Sequence, residues 1–188
     1  KKEKGGGPWE YVLMFLANMA DEGISILPTH RLVKGVKNID YIMQKIERDF
    51  IIERTVDNAD IQKAISVSGK NTFGLYLGKE KKWYILKYKG TDLKDISPIL
   101  QNLDVVVLHE LILKRDLGIT DVAYEMDAQE AIKRTDSAEF DAAFFLNPTG
   151  VNDVERVALS GLRMPPKSTY FYPKLLTGMV INSFKNQS

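Results

Sequence analysis

The sequence contains no cysteine. That absence excludes a disulfide framework, thiolate zinc sites, iron–sulfur ligation and a cysteine nucleophile. Its only histidines are His30 and His109, so a metal centre would rest mostly on carboxylates. No repeated acidic spacing suggests one, and no metal is expected. An excess of one charge is missing too. The 26 Lys+Arg against 25 Asp+Glu leave +1 at pH 7, which removes a global electrostatic drive toward nucleic acid or an anionic membrane. No apolar run approaches the roughly 20 residues of a membrane-spanning helix. The best, Val12 to Ala17, is closed by Asn18. The lead-in Lys1 to Gly7 has no apolar signal-peptide core, and the expected location is the cytoplasm.

What is present fits a globular chain. The 188 residues, 44% hydrophobic and 27% charged, predict a single domain over 1–188 with a core of its own. Apolar runs Trp9 to Met19 and Ile24 to Pro28, separated by Ala20-Asp21-Glu22-Gly23, read as a hairpin. Asn38 caps an amphipathic helix through Ile39, Ile42, Met43, Ile46 and Phe50. A strand follows over Phe50 to Val56, then a helix over Asn58 to Ser68 stopped by Gly69. Thr72 to Leu77 and Lys82 to Tyr88 alternate around Gly78-Lys79-Glu80-Lys81 and predict a second hairpin, with Phe73, Leu75 and Leu77 opposing Trp83, Ile85 and Lys87. Leu103 to Leu117 is apolar nearly all round, as in a buried helix. Further strands are expected at Val122 to Met126, Phe140 to Leu146 and Met179 to Ile181. Short helices are expected after Asp127, which opens a capping-box spacing, and over Val151 to Leu159. Hairpins mixed with strand–helix alternation predict an α+β fold: a mixed, largely antiparallel sheet with flanking helices.

Two polar clusters are candidates for chemistry. At Pro28-Thr29-His30-Arg31 a strand presents a hydroxyl, an imidazole and a guanidinium together. Imidazole exchanges protons near neutral pH, and guanidinium grips a carboxylate or phosphate with paired hydrogen bonds. His30 is therefore the candidate catalytic acid or base, and Thr29 and Arg31 are candidate anion ligands. The same residues would equally serve to satisfy backbone carbonyls. Lys167-Ser168-Thr169-Tyr170 supplies a cation and three hydroxyls behind the rigid Pro165-Pro166. All four are candidate anion ligands, although the spacing is not that of a P-loop. The plainer alternative is an extended strand with solvated lysines. Asn147-Pro148-Thr149 before a helix is an ordinary helix entry that could also face an anion. His109-Glu110-Leu111-Ile112-Leu113 lacks the second histidine of a zinc-protease helix. Lys81-Lys82-Trp83-Tyr84 and Lys87-Tyr88-Lys89 could stack bases, but solvated lysines also guard sheet edges.

Several of these segments together resemble one family. They are Gly7-Pro8-Trp9 to Met19, Leu27 to Arg31, Leu108 to Leu113, Asp141 to Thr149 and Met164 to Gly178, of which Met164 to Lys174 is the most specific part. The chain resembles, over nearly all its length, the large prokaryotic family described as domain of unknown function one thousand and fifteen. Members of that family are about twice this long, and their earlier half carries an Asp-Gly-His-His-Arg segment similar to the phosphate-binding loop of ParB and sulfiredoxin. This sequence lacks the segment. The resemblance thus implies the carboxy-terminal fragment of a longer protein. Neither the residues nor the resemblance identifies a cofactor.

The leading expectation is part of a cytoplasmic enzyme-like protein that binds a phosphorylated small molecule or nucleotide. Arg31 and Lys167 would hold the anion, with Ser168 or Tyr170 orienting the ligand. This requires the two segments to converge. The alternatives are a ParB-like DNA-associated regulatory protein, which the net charge opposes for this segment alone, or a non-catalytic scaffold or dimerisation domain.

Overall fold

In the computed structural model, residues 10, 11, 14, 16, 18, 23–91, 93–174, 178 and 181 are described. Most of the expected hairpin arm Trp9 to Met19 and most of the expected strand Met179 to Ile181 lie outside them. The chain divides into two compact units, one of Ile26–Tyr170 and one of Lys1–Ser25 with Phe171–Ser188. Strands β1 (Ser25–Leu27) and β8 (Tyr170–Tyr172) make a two-stranded sheet.

A six-stranded sheet organises the larger unit, in the order β3 (Phe50–Thr55), β5 (Lys82–Tyr88), β4 (Thr72–Leu77), β7 (Ala142–Phe145), β2 (His30–Val33), β6 (Val122–Glu125). Every ladder in it is antiparallel. This is the α+β fold that the alternation of hairpins and helices predicts. The hairpin register differs from the expected one by a residue: Phe73, Leu75 and Leu77 oppose Leu86, Tyr84 and Lys82. A one-residue slip exchanges the faces of a strand. Here it puts Leu86 and Tyr84, not Ile85 and Trp83, on the face of Phe73 and Leu75.

Side-chain alternation sends each strand's residues into two cores. Val33, Phe73, Leu75, Leu86 and Phe144 pack with Ile42 and Ile46 of α1 (Ile39–Ile46), with Ile99 and Leu100 of the short α3 (Pro98–Gln101), with Val107 of α4 (Asp104–Val107), with Ile112 of the π-helix Leu108–Asp116 and with Val157 of α6 (Val151–Leu159). On the other face Leu32, Tyr76, Ile85 and Phe145 pack with Ile61 and Ile65 of α2 (Asn58–Ser68) and Ala131 of α5 (Ala128–Asp136). Helices therefore cover both faces. The caps follow the sequence closely. Asn38 accepts from the Tyr41 N–H, and Asp127 accepts from the Gln129 and Glu130 N–H groups. For α2 the cap is Asp57, one residue before the expected start. No helix of the described residues is long and apolar enough to cross a membrane.

Gly74 shows how tightly α2 lies on the sheet. A β-carbon there would sit 3.2 Å from Phe145 Cβ and 3.3 Å from Ile65 Cδ1, and would overlap Ile61 Cγ2. Gly74→Ala is expected to lower stability by about 1–3 kcal/mol, since helix and sheet must separate to admit the methyl group. Thermal denaturation of the two proteins side by side checks this; an unchanged midpoint would mean the helix yields freely.

Candidate functional site

The polar groups of interest gather where three strands end or begin. β2 starts at His30, β6 ends at Glu125 and β7 ends at Phe145, leading through Leu146 and Asn147-Pro148-Thr149 into α6. β2 lies between β7 and β6, with Arg31 opposite Phe144 on one side and Tyr124 on the other. The two segments singled out in the sequence do meet. Arg31 Nη2 donates to the Lys167 carbonyl at 3.2 Å, and Arg31 Nη1 donates to the Thr29 carbonyl. Thr149 Oγ1 donates to the Ser168 carbonyl at 2.8 Å. The Ser168 N–H closes a turn onto the Pro165 carbonyl, with Lys167 at φ 57°.

Arg31 is buried, 5% exposed, and its guanidinium carbon stands 5.6 Å from the centre of the Tyr124 ring. Burial pushes its pKa down to about 10, which leaves it cationic at neutral pH. Among the described residues no carboxylate forms an ion pair with it. A buried cation that has only carbonyls and a ring for company is costly to desolvate. Ser168, which follows Lys167, is 4% exposed, and its Oγ has no hydrogen-bond partner among the described residues. Buried hydroxyls are almost always paired. Lys167 is exposed and Thr169 and Tyr170 are half-buried, so this segment's contacts to Arg31 run through backbone rather than through the lysine ammonium.

His30 faces the other way. Neighbouring residues of a strand point to opposite faces, and the ring of His30 lies 5.0 Å from that of Phe145 in the α2–α5 core. The imidazole and the guanidinium expected to act together therefore do not share a face. His30 Nδ1 accepts from the Leu146 N–H at 3.4 Å. Its pKa is lowered to about 4, first by burial and then by the Arg31 charge, with Glu125 and Asp127 opposing. At pH 7 it is neutral and, with Nδ1 accepting, carries its proton on Nε2. Such an imidazole is a fixed donor rather than a proton shuttle.

Two cavities flank the Asn147-Pro148 loop. One, of about 220 Å³, is bounded by His30, Gln62, Ile65, Met126, Phe145 and Pro148. The other, of about 200 Å³, lies among Lys70, Asp104, Thr149, Gly150 and Asp153. Asn147 contributes to both, and its Nδ2 donates to the Ile65 and Gly69 carbonyls at 2.7 and 2.9 Å, tying the loop to the end of α2. In the second cavity Lys70 Nζ meets Asp153 Oδ1 at 2.6 Å, and Arg156 pairs with the same oxygen. Asp104 accepts from the Asn71 N–H at 2.9 Å, and burial holds its pKa up at about 6. Lys70, Gln62 and Asp153 were not among the sequence candidates, because they come from separate stretches of chain without a shared motif. Among the described residues no cluster of metal-ligating side chains occurs.

A family model described as "Protein of unknown function (DUF1015)" matches residues 1–106. The chain belongs to this family. The match covers β2 and the Thr29–Arg31 segment, whereas Asp141 to Thr149 and Met164 to Lys174 lie beyond it. No curated protein matches the sequence. Among solved structures, a conserved hypothetical protein from Pyrococcus furiosus is similar with a TM-score of 0.51 and 14% identity, over 82% of this chain and 59% of that one. A free serine kinase in complex with AMP is similar with a TM-score of 0.52 and 13% identity, over 82% of this chain and 56% of the kinase. At such identities the likeness is one of fold. The chain spans somewhat more than half the length of these two proteins.

Proposed function

We propose that this chain binds a phosphorylated small molecule of the nucleotide class, with Arg31 as the principal anion ligand. The carrying observation is the buried Arg31 guanidinium, charged at neutral pH and without a carboxylate partner among the described residues; the Ser168 hydroxyl, one residue beyond the Lys167 carbonyl that Arg31 meets, has no partner among them either. A phosphate oxygen supplies the missing negative charge and accepts from both groups. Lys167, exposed at the same turn, adds a second cation, while Thr29, Thr169 and Tyr170 border the ligand. His30 acts in this reading through its Nε2–H on the opposite face of β2. The AMP complex of the similarly folded kinase is compatible with a nucleotide.

Titration calorimetry with inorganic pyrophosphate and with AMP tests the reading. Charge-assisted hydrogen bonds contribute roughly 1.5–3 kcal/mol, so Arg31→Met is expected to weaken both ligands by about 10- to 100-fold. Arg31→Lys should retain part of the affinity, and Ser168→Ala should lose less than Arg31→Met. Equal affinity in all four proteins would reduce Arg31 to a clasp on the Thr29 and Lys167 carbonyls. Tight binding of duplex DNA that collapses with added salt would instead favour a nucleic-acid partner.

A further inference from the structure

We infer that the cavity between β2, α2 and the Asn147-Pro148 loop is a slot for a neutral, flat, bicyclic heterocycle, the base of a nucleoside or nucleotide. The inference rests on the nucleotide reading above but on different residues. At about 220 Å³ the cavity lies below the roughly 300–1,000 Å³ of sites that enclose a drug-sized ligand. It has room for one ring system, and phosphates attached to that ring must lie outside. Its walls are apolar and polarizable: the buried Ile65 of α2 and Phe145 of β7, with the half-buried Met126 and the exposed Pro148. Thioether and aromatic walls favour the faces of a planar π-system.

The polar groups are few and of complementary kinds. His30 offers a donor, since its Nδ1 is engaged by the Leu146 N–H. Asn147 has committed its Nδ2 to the Ile65 and Gly69 carbonyls, which leaves its Oδ1 as an acceptor. Gln62, exposed at the rim, brings an amide that donates and accepts and can address a base edge with two bonds. No side chain lining this cavity is ionised at pH 7, so its occupant need carry no charge. That distinguishes it from the neighbouring cavity of Lys70, Asp104 and Asp153. Ala128, at the first turn of α5, keeps one wall thin.

The test compares adenosine, AMP, ribose 5-phosphate and inorganic pyrophosphate on the 188-residue chain and on Ala128→Leu and Gln62→Ala. Ala128→Leu is expected to weaken adenosine and AMP by about tenfold or more, because the added side chain occupies the slot, while pyrophosphate binds as before. Retained pyrophosphate binding also shows that the variant is folded. Gln62→Ala should weaken AMP by several-fold and narrow its advantage over the cytidine counterpart. Adenosine bound by a protein in which Arg31→Met has no effect on pyrophosphate would keep the slot and remove the anion reading. AMP and ribose 5-phosphate of equal affinity, unmoved by Ala128→Leu, would remove the slot and keep the anion reading. Failure of every probe to bind would overturn both.

Discussion

Phe145→Ala is expected to cost about 3–5 kcal/mol, the usual penalty for removing a buried phenyl ring. Phe145 is 1% exposed, packs on Leu32, Ile61 and Ile65 in the smaller core, and stands 5.9 Å from Trp83 and 5.0 Å from His30, ring to ring. A loss of this size is a large fraction of the roughly 5–15 kcal/mol that keeps a domain folded. Urea denaturation should show a lower midpoint with an unchanged slope, and Phe145→Leu should lose less than half as much. The substitution also widens the cavity beside His30. A shift smaller than about 1 kcal/mol would mean that the α2–α5 layer collapses into the space, and that the cavity is not held open by a rigid wall.

Asp104→Asn is expected to stabilise the protein at neutral pH and to flatten its pH profile. Burial raises the folded-state pKa of Asp104 to about 6, above the 3.8 of a free carboxyl. For an acid raised in this way, the folded state binds the proton more tightly than the unfolded state. Its stabilising contribution is therefore complete below about pH 4 and lost as pH rises through 6. Above that pH the fold carries a partly buried carboxylate near Asp153, relieved only in part by Lys70 and the Asn71 N–H. The amide keeps the acceptor for Asn71 without the charge. Urea midpoints measured from pH 4 to 8 should converge at the acid end and separate by about 1–3 kcal/mol at the alkaline end. Parallel curves would show that solvent reaches Asp104 freely.

Local chemistry was legible where a single element decided it. The Asn38 and Asp127 caps, the hairpin strands Thr72–Leu77 and Lys82–Tyr88 and the Gly69 stop are each determined by neighbours in sequence, and the structure has them. The Leu103 to Leu117 segment was legible as buried but not as a short α-helix continued by a π-helix, because an apolar surface on all sides carries no period to count. The meeting of Arg31 with the Lys167 turn was anticipated from residue type. Its mode was not: the acceptor is a backbone carbonyl, a group that every residue offers, so residue type does not foretell it. The separation of His30 from Arg31 follows from the strand pleat. The grouping of Lys70, Asp104 and Asp153 depends on tertiary placement, to which no local pattern corresponds.

The strand order has a consequence for the route by which the chain reaches its fold. β5 pairs with both β3 and β4, which lie close to it in sequence, so this three-stranded part closes early. β2 precedes all of them, yet both its partners, β6 and β7, come far later, and it must slot between them. During synthesis β2 finds its first sheet partner only when β6 has been made, and its second only with β7. The candidate site is closed late, by contacts such as that of Arg31 with Lys167, which lie 136 residues apart in the chain.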